Sequence, residues 1–302
     1  MSSYYCICMS SFYCMCVLIL VYTVAERAAI GVPSSLPLPH AANAERGAPP
    51  CPSERDTPPR AGAGGAAAAV KSVTAVSSVG GERRAPVVVA NFNQMYKVTP
   101  QMLDMWINLL AHHNHTYFWQ PLPLAAPASA AIASRLRARA AAGGVSAERV
   151  VVTNTSNIIE FVRRCSLADL VLDTSPIGAH TVAMDVLWSG TPLLTYPADS
   201  FSSRVASSVL AGLRLDGILC ARSVEDARSV GSRLIQAGKA ASGLTPLEHL
   251  RREIEHRRWS EALFSREIQV AHLETAFHLV YEMEQLGLPR HHIIVARVTL
   301  HT

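Results

Sequence analysis

The chain has 302 residues, 49% hydrophobic and 17% charged, so it can bury a sizeable core. Its net charge of +4 is mild, and the basic residues are scattered without interleaved aromatics, which argues against nucleic acid as a partner. Seven cysteines without framework spacing argue against a disulfide scaffold.

Residues 1–24 are apolar, and Tyr4–Val24 is an uncharged stretch long enough to cross a bilayer. It lacks a basic flank and a clear small-residue cleavage site; a membrane anchor, a signal peptide and a non-natural start are the three readings. Cys6, Cys8, Cys14 and Cys16 form C-x-C pairs there, but no second His or Cys cluster follows at a fixed offset, and no metal is expected. Residues 25–84 are rich in Ala, Gly, Pro and Ser and read as a disordered linker. The run Gly62-Ala63-Gly64-Gly65 follows no strand and is not a phosphate loop.

One domain spans 85–288, with a tail over 289–302. Val87–Ala90 is a short β-branched run, and Thr99-Pro100 open a helix through Met102, Met105, Trp106 and Leu109. Tyr117–Trp119 is a second strand, followed by helix Ser129–Ala142 ending at Gly143-Gly144. Strand Val150–Thr153 precedes helix Asn157–Cys165, and strand Leu170–Asp173 precedes a helix starting near His180. Leu193–Tyr196 leads to helix Ser202–Gly212, and a sixth strand near Gly217–Leu219 leads to helix Val224–Ala237. Helices Pro246–Trp259 and Arg266–Leu286 close the series. Strict alternation implies parallel βαβ units, hence an α/β fold with a doubly wound, Rossmann-like parallel sheet and an irregular N-terminal extension.

Ligands bind such sheets beyond the carboxyl ends of the strands, where two motifs fall. In Asn91-Phe92-Asn93-Gln94-Met95-Tyr96-Lys97, Lys97 offers a compact charge for a phosphate and Gln94 a neutral donor. In His180–Trp188, His180-Thr181 open a helix whose unpaired N–H groups suit an anion, and Asp185 shares a helix face with Thr181. A solvated lysine and an N-cap threonine are the plainer readings, but they leave a mid-turn Asp beside Met184, Val186 and Leu187 unexplained. Together the groups suit a nucleoside diphosphate.

These motifs, with Val162-Arg163-Arg164-Cys165-Ser166-Leu167-Ala168-Asp169, Leu172-Asp173-Thr174 and Ser203-Arg204-Val205-Ala206, resemble the protein O-linked N-acetylglucosamine transferases from about Val87 to Leu286. The resemblance implies the C-terminal, donor-binding half of a GT-B glycosyltransferase. It implies inverting, metal-independent transfer from UDP-N-acetylglucosamine to Ser or Thr of acceptor proteins in the cytoplasm or nucleus, with no cofactor. It assigns Gln94, Lys97, His180 and Thr181 to the diphosphate and Asp185 to the ribose, with Lys97 stabilising departing UDP as the catalytic residue. Ser156, with Asn157, would read the base edge.

Three positions depart from the family pattern. Val182 replaces a second threonine, Phe161 replaces a histidine that stacks on uracil, and Ile158 replaces a lysine near the nucleoside. The family's N-terminal catalytic half and helical repeats have no counterpart in 1–84, so a partner supplying that half is one expectation and an exposed apolar face on the final helices another. The alternatives are a nucleotide-sugar-binding module without independent catalysis and a related O-fucosyltransferase using GDP-fucose.

Other features read as structural. Cys165 and Cys220 sit among apolar neighbours as buried thiols, and His112-His113-Asn114-His115 reads as a solvated cluster at a helix end. The pairs Arg251-Arg252 and Arg257-Arg258, separated by Glu253 and Glu255, read as a solvated face, with His249 and His256 at the surface. Asn114-His115-Thr116 and Asn154-Thr155-Ser156 match glycosylation sequons that an intracellular protein leaves bare.

Overall fold

The computed structural model describes residues 19–20, 86–122, 126–154, 158–240, 242–289 and 293–295. The Tyr4–Val24 stretch apart from 19–20, the linker 25–84, the C-x-C pairs, Ser156 with Asn157 and most of the tail lie outside them. The strands in chain order are β1 (Ile19–Leu20), β2 (Val87–Ala90), β3 (Thr116–Leu122), β4 (Val150–Asn154), β5 (Leu170–Leu172), β6 (Leu193–Leu194) and β7 (Ile293–Ile294). The helices are α1 (Pro100–His112), α2 (Ala126–Ala142), α3 (Ile158–Cys165), α4 (Thr181–Trp188), α5 (Phe201–Gly212), α6 (Asp216–Leu219), α7 (Val224–Gln236), α8 (Pro246–Ser260) and α9 (Arg266–Gln285).

Two compact units divide between Glu261 and Ala262. The first carries an all-parallel sheet in the order β4-β3-β2-β5-β6. Val89 lies opposite both Phe118 and Leu170, which sets β2 in the middle. The chain winds outward from β2 to β4, then returns to β2's other edge with β5 and β6. The loops after β2 and β5 thus leave adjacent strands at the point where the winding reverses. The expected doubly wound α/β sheet is present; β2, β5 and β6 are wholly apolar, as strands covered by helices on both sides are, whereas β3 and β4 carry polar residues such as Gln120 and Asn154.

Local chemistry fixes the helices. Thr99 caps α1 by accepting the Met102 N–H at 3.3 Å, and Pro100 occupies its first turn. Arg149 closes the other end of α1 by donating to the carbonyls of Leu110 (2.6 Å) and His113 (2.7 Å). A Cβ on Gly143 would lie 2.4 Å from Ile107 Cγ2, so a glycine after α2 is what lets it approach α1. Thr245 and Glu248 form a capping box that starts α8. The core is centred on Trp106, Leu109, Leu110, Phe118, Leu170 and Leu172, all at most 4% exposed.

Five expectations need correction. The segment expected as a sixth strand near Gly217–Leu219 is the short helix α6. Asp216 and Gly217 are poor strand formers, and the sheet continues only through a single bridge between Thr195 and Cys220. β6 is correspondingly shorter than the run Leu193–Tyr196, whereas β3 extends to Leu122. His113 is buried rather than solvated, with Nε2 2.8 Å from Ser232 Oγ on α7. Arg258 is also buried, its guanidinium against both Trp188 (5.1 Å) and Trp259 (5.3 Å), with Nη1 donating to the Trp188 carbonyl. Both residues meet a partner on another helix, Ser232 for His113 and Trp188 for Arg258, which a charge pattern does not reveal.

In the second unit, β1 pairs parallel with β7, and Ala276 of α9 packs with Ile293, Leu279, Met283 and Val295. Val270, Phe277, Val280 and Tyr281 of α9 are exposed. No helix among the described residues is long and apolar enough to cross a membrane.

Candidate functional site

The loop after β2 turns through a 3₁₀ segment, Met95–Lys97, closed by the Lys97 N–H donating to the Gln94 carbonyl at 3.0 Å. That turn leaves the Gln94 side chain exposed and sends the Lys97 side chain back toward the sheet. There Lys97 Nζ donates to the Gly178 carbonyl at 2.9 Å, across 81 residues of sequence. The two motifs therefore meet at the winding reversal. Burial pulls the Lys97 ammonium below its ordinary range, and the nearby Asp173 carboxylate opposes that shift.

The loop after β5 is held by Asp173, which is 2% exposed. Its Oδ1 accepts from Asn93 Nδ2 (2.9 Å), Thr174 N (2.8 Å) and Ala179 N (2.7 Å), and its Oδ2 from Thr195 Oγ1 (2.7 Å). Burial pushes this carboxyl above its usual range, and the four donors pull against that shift. The loop then delivers His180 as the N-cap residue of α4, whose first turn no side chain caps. Thr181, exposed, is the first residue of α4. An uncapped helix start with a hydroxyl beside it is an anion site in physical terms.

His180 Nε2 lies 3.0 Å from the Ser202 carbonyl. A carbonyl only accepts, so Nε2 carries a hydrogen and the ring is pinned to the start of α5. One turn along α4, Asp185 is half-buried, and its carboxylate has no hydrogen-bond or ion-pair partner among the described residues. Burial alone raises its carboxyl above the usual range. A pair of ligand hydroxyls would supply what this carboxylate lacks.

Phe161 is half-buried on α3 and packs edge-on against Phe92, with centroids 5.6 Å apart, while Phe92 meets Trp119 at 5.3 Å. Phe161 thus stands beside the loop after β2. Val182 follows Thr181 in the first turn of α4, where it adds no hydroxyl, and Ile158 opens α3. Burial pushes the Cys165 thiol far above the usual range and Cys220 up to about 12, so neither supplies a thiolate nucleophile near neutral pH. No group of three or more His, Cys, Asp or Glu suited to a metal occurs among the described residues.

The sequence motifs did not single out Asn93, Gln120 or Thr195, although all three are buried polar residues on these loops and strand ends. Their one sequence signal is a polar residue at or just past the carboxyl end of an apolar strand, the position that lines ligand sites in parallel sheets.

A family model described as Glycosyl transferase family 41 matches residues 52–273. A UDP-N-acetylglucosamine–peptide N-acetylglucosaminyltransferase of Caenorhabditis elegans is 32% identical over 207 residues, 68% of this chain and 17% of the relative. A protein of Arabidopsis thaliana named as a probable enzyme of the same kind is 30% identical over 208 residues, 69% of this chain and 20% of the relative. The chain thus spans about a fifth or less of the length of these curated relatives. Among solved structures, a mutant O-GlcNAc transferase of Thermobaculum terrenum has the same fold, with 22% identity and a TM-score of 0.57 over 68% of this chain and 38% of that one.

Proposed function

The chain belongs to glycosyl transferase family 41, and we propose that it forms the donor-binding half of an inverting, metal-independent UDP-N-acetylglucosamine:protein O-GlcNAc transferase. One observation carries the reading: Lys97 reaches the Gly178 carbonyl two residues before His180, joining a cation to an uncapped helix start. In this reading Gln94, Lys97, His180 and Thr181 take the diphosphate, and Asp185 takes the ribose hydroxyls. Phe161 borders the base together with the Ser156 backbone. As the glycosidic bond breaks, charge grows on the diphosphate, and Lys97 with the α4 amides stabilises it without a metal or other cofactor. The acceptor is a Ser or Thr hydroxyl of a protein of the cytoplasm or nucleus.

Calorimetric titration of UDP tests the site. Lys97→Ala should weaken binding roughly ten- to a hundredfold, the range for losing a charge-assisted hydrogen bond; unchanged affinity would refute the assignment. Binding should survive EDTA. Competition of UDP against GDP separates this donor from GDP-fucose, and preference for GDP would favour the O-fucosyltransferase alternative.

A second reading is donor binding without independent transfer. It is favoured by the described residues holding one Rossmann-like sheet, whereas transfer needs an acceptor surface facing the donor. Incubating the chain alone with UDP-N-acetylglucosamine and an acceptor peptide should give little or no product, and a partner half should restore transfer.

A further inference from the structure

Side chains at the carboxyl ends of four adjacent strands form one buried polar chain. Gln120, on β3, accepts from Asn91 Nδ2 at 2.8 Å and donates to the Asn93 carbonyl at 3.3 Å. Asn91 Oδ1, just past β2, accepts the Asn93 N–H at 3.1 Å, and Asn93 Nδ2 donates to Asp173, just past β5. Thr195, just past β6, completes the chain on Asp173 Oδ2. Asp173 is its one charged member and sits between the two loops of the site.

Three N–H groups converge on Asp173 Oδ1 and the Thr195 hydroxyl donates to Oδ2, so both oxygens serve as acceptors. Asn93 Oδ1 is buried with no partner. Turning that amide over would set its oxygen against the carboxylate, so Asp173 dictates its orientation. The Asn93 contact fixes the loop carrying Gln94 and Lys97, and the Thr174 and Ala179 contacts fix the loop that delivers His180 and Thr181. Substituting the carboxylate would remove this tie and leave the loops joined, among the described residues, by the Lys97–Gly178 and Thr99–Ser175 contacts alone.

We propose that Asp173 is a positioning residue for the donor diphosphate, holding the Lys97 turn and the start of α4 in one geometry. The proposal rests on the donor-site reading above. Asp173 touches no substrate in this role; it acts through Lys97 and the α4 amides. The other titratable groups on the surrounding elements are Tyr96 on the Lys97 turn and His180 and Asp185 at α4, and Asp173 is the one whose charge bears on Lys97. Cys220 also feels Asp173 but stays protonated.

The test uses the full chain, UDP titration and NMR titration of Lys97, one of only three lysines with Lys71 and Lys239. Asp173→Asn should lower UDP affinity roughly ten- to a hundredfold and move the Lys97 titration to lower pH in the ligand-free protein. A purely structural role would leave that titration in place. Asn93→Ala should weaken UDP binding while leaving the Lys97 titration unmoved, because the Asp173 charge remains. A folded Asp173→Asn with wild-type affinity and an unmoved Lys97 titration overturns the proposal alone. Should Asp173→Asn not fold by circular dichroism, wild-type affinity in Asn93→Ala overturns it. If the wild-type chain binds no UDP, the donor-site reading falls and takes this proposal with it.

Discussion

Gly178→Ala is a small change placed where one neighbour stands too close for it. An added Cβ would lie 3.1 Å from Asp173 Oδ2, 3.5 Å from the Ser202 carbonyl and 3.6 Å from the Ser203 carbonyl. None of these is the free end of a flexible side chain. Oδ2 is held by Thr195 at 2.7 Å, and the carbonyls belong to the first turn of α5. The loop itself must therefore move by a few tenths of an ångström, and overpacking of this kind costs about 1–2 kcal/mol. In a unit of this size that lowers Tm by roughly 3–6 °C. The same movement carries the Gly178 carbonyl away from Lys97 Nζ and its N–H away from the Ser202 carbonyl, now both at 2.9 Å. UDP affinity should fall by about tenfold, because small misplacements of binding groups are costly. Differential scanning fluorimetry and calorimetry read the two effects, with Gly217→Ala, whose added Cβ meets nothing within 4 Å, as the control. A Gly178→Ala variant matching the control in both readouts would refute the reasoning.

Three further outcomes are expected. Asp185→Asn should weaken UDP by roughly tenfold, through loss of charged hydrogen bonds, while leaving inorganic pyrophosphate binding unchanged; equal losses for both ligands would remove Asp185 from the ribose. Arg258→Ala takes away two ring contacts and the donor to the Trp188 carbonyl, so chemical denaturation should show a loss of roughly 2–3 kcal/mol. UDP binding should also weaken at alkaline pH. Lys97 must be charged to bind phosphate, and its folded pKa is depressed by burial, so affinity holds below that pKa and is lost as pH rises through it. The midpoint of the loss should lie below 10.5, the ordinary lysine value, and should vanish in Lys97→Ala.

The alternation of β-branched runs with amphipathic stretches was enough to place the five strands of the main sheet, because local periodicity reports which face is buried. It failed at Asp216–Leu219, where a short apolar stretch at a sheet edge fits a helical turn as well as a strand. Charge pattern failed similarly at Arg258: nothing near it in sequence signals that Trp188 lies on its guanidinium. Within the site, Lys97, His180, Thr181 and Asp185 were legible because each stands in a contiguous motif beside an apolar run. The links of Asn93 and Thr195 to Asp173 were not, since they span 80 and 22 residues of sequence.

The sequence by itself thus determined the parallel α/β class, the family, and the chemical types available for a nucleoside diphosphate. These follow from periodicity and from short runs of adjacent residues. Only the tertiary structure decided that the Lys97 turn and the His180 helix start are two sides of one site, and that a buried carboxylate holds them together. The order of strands in a sheet sets which loops become neighbours, and the desolvation of Lys97 and Asp173 exists only once the chain around them has packed.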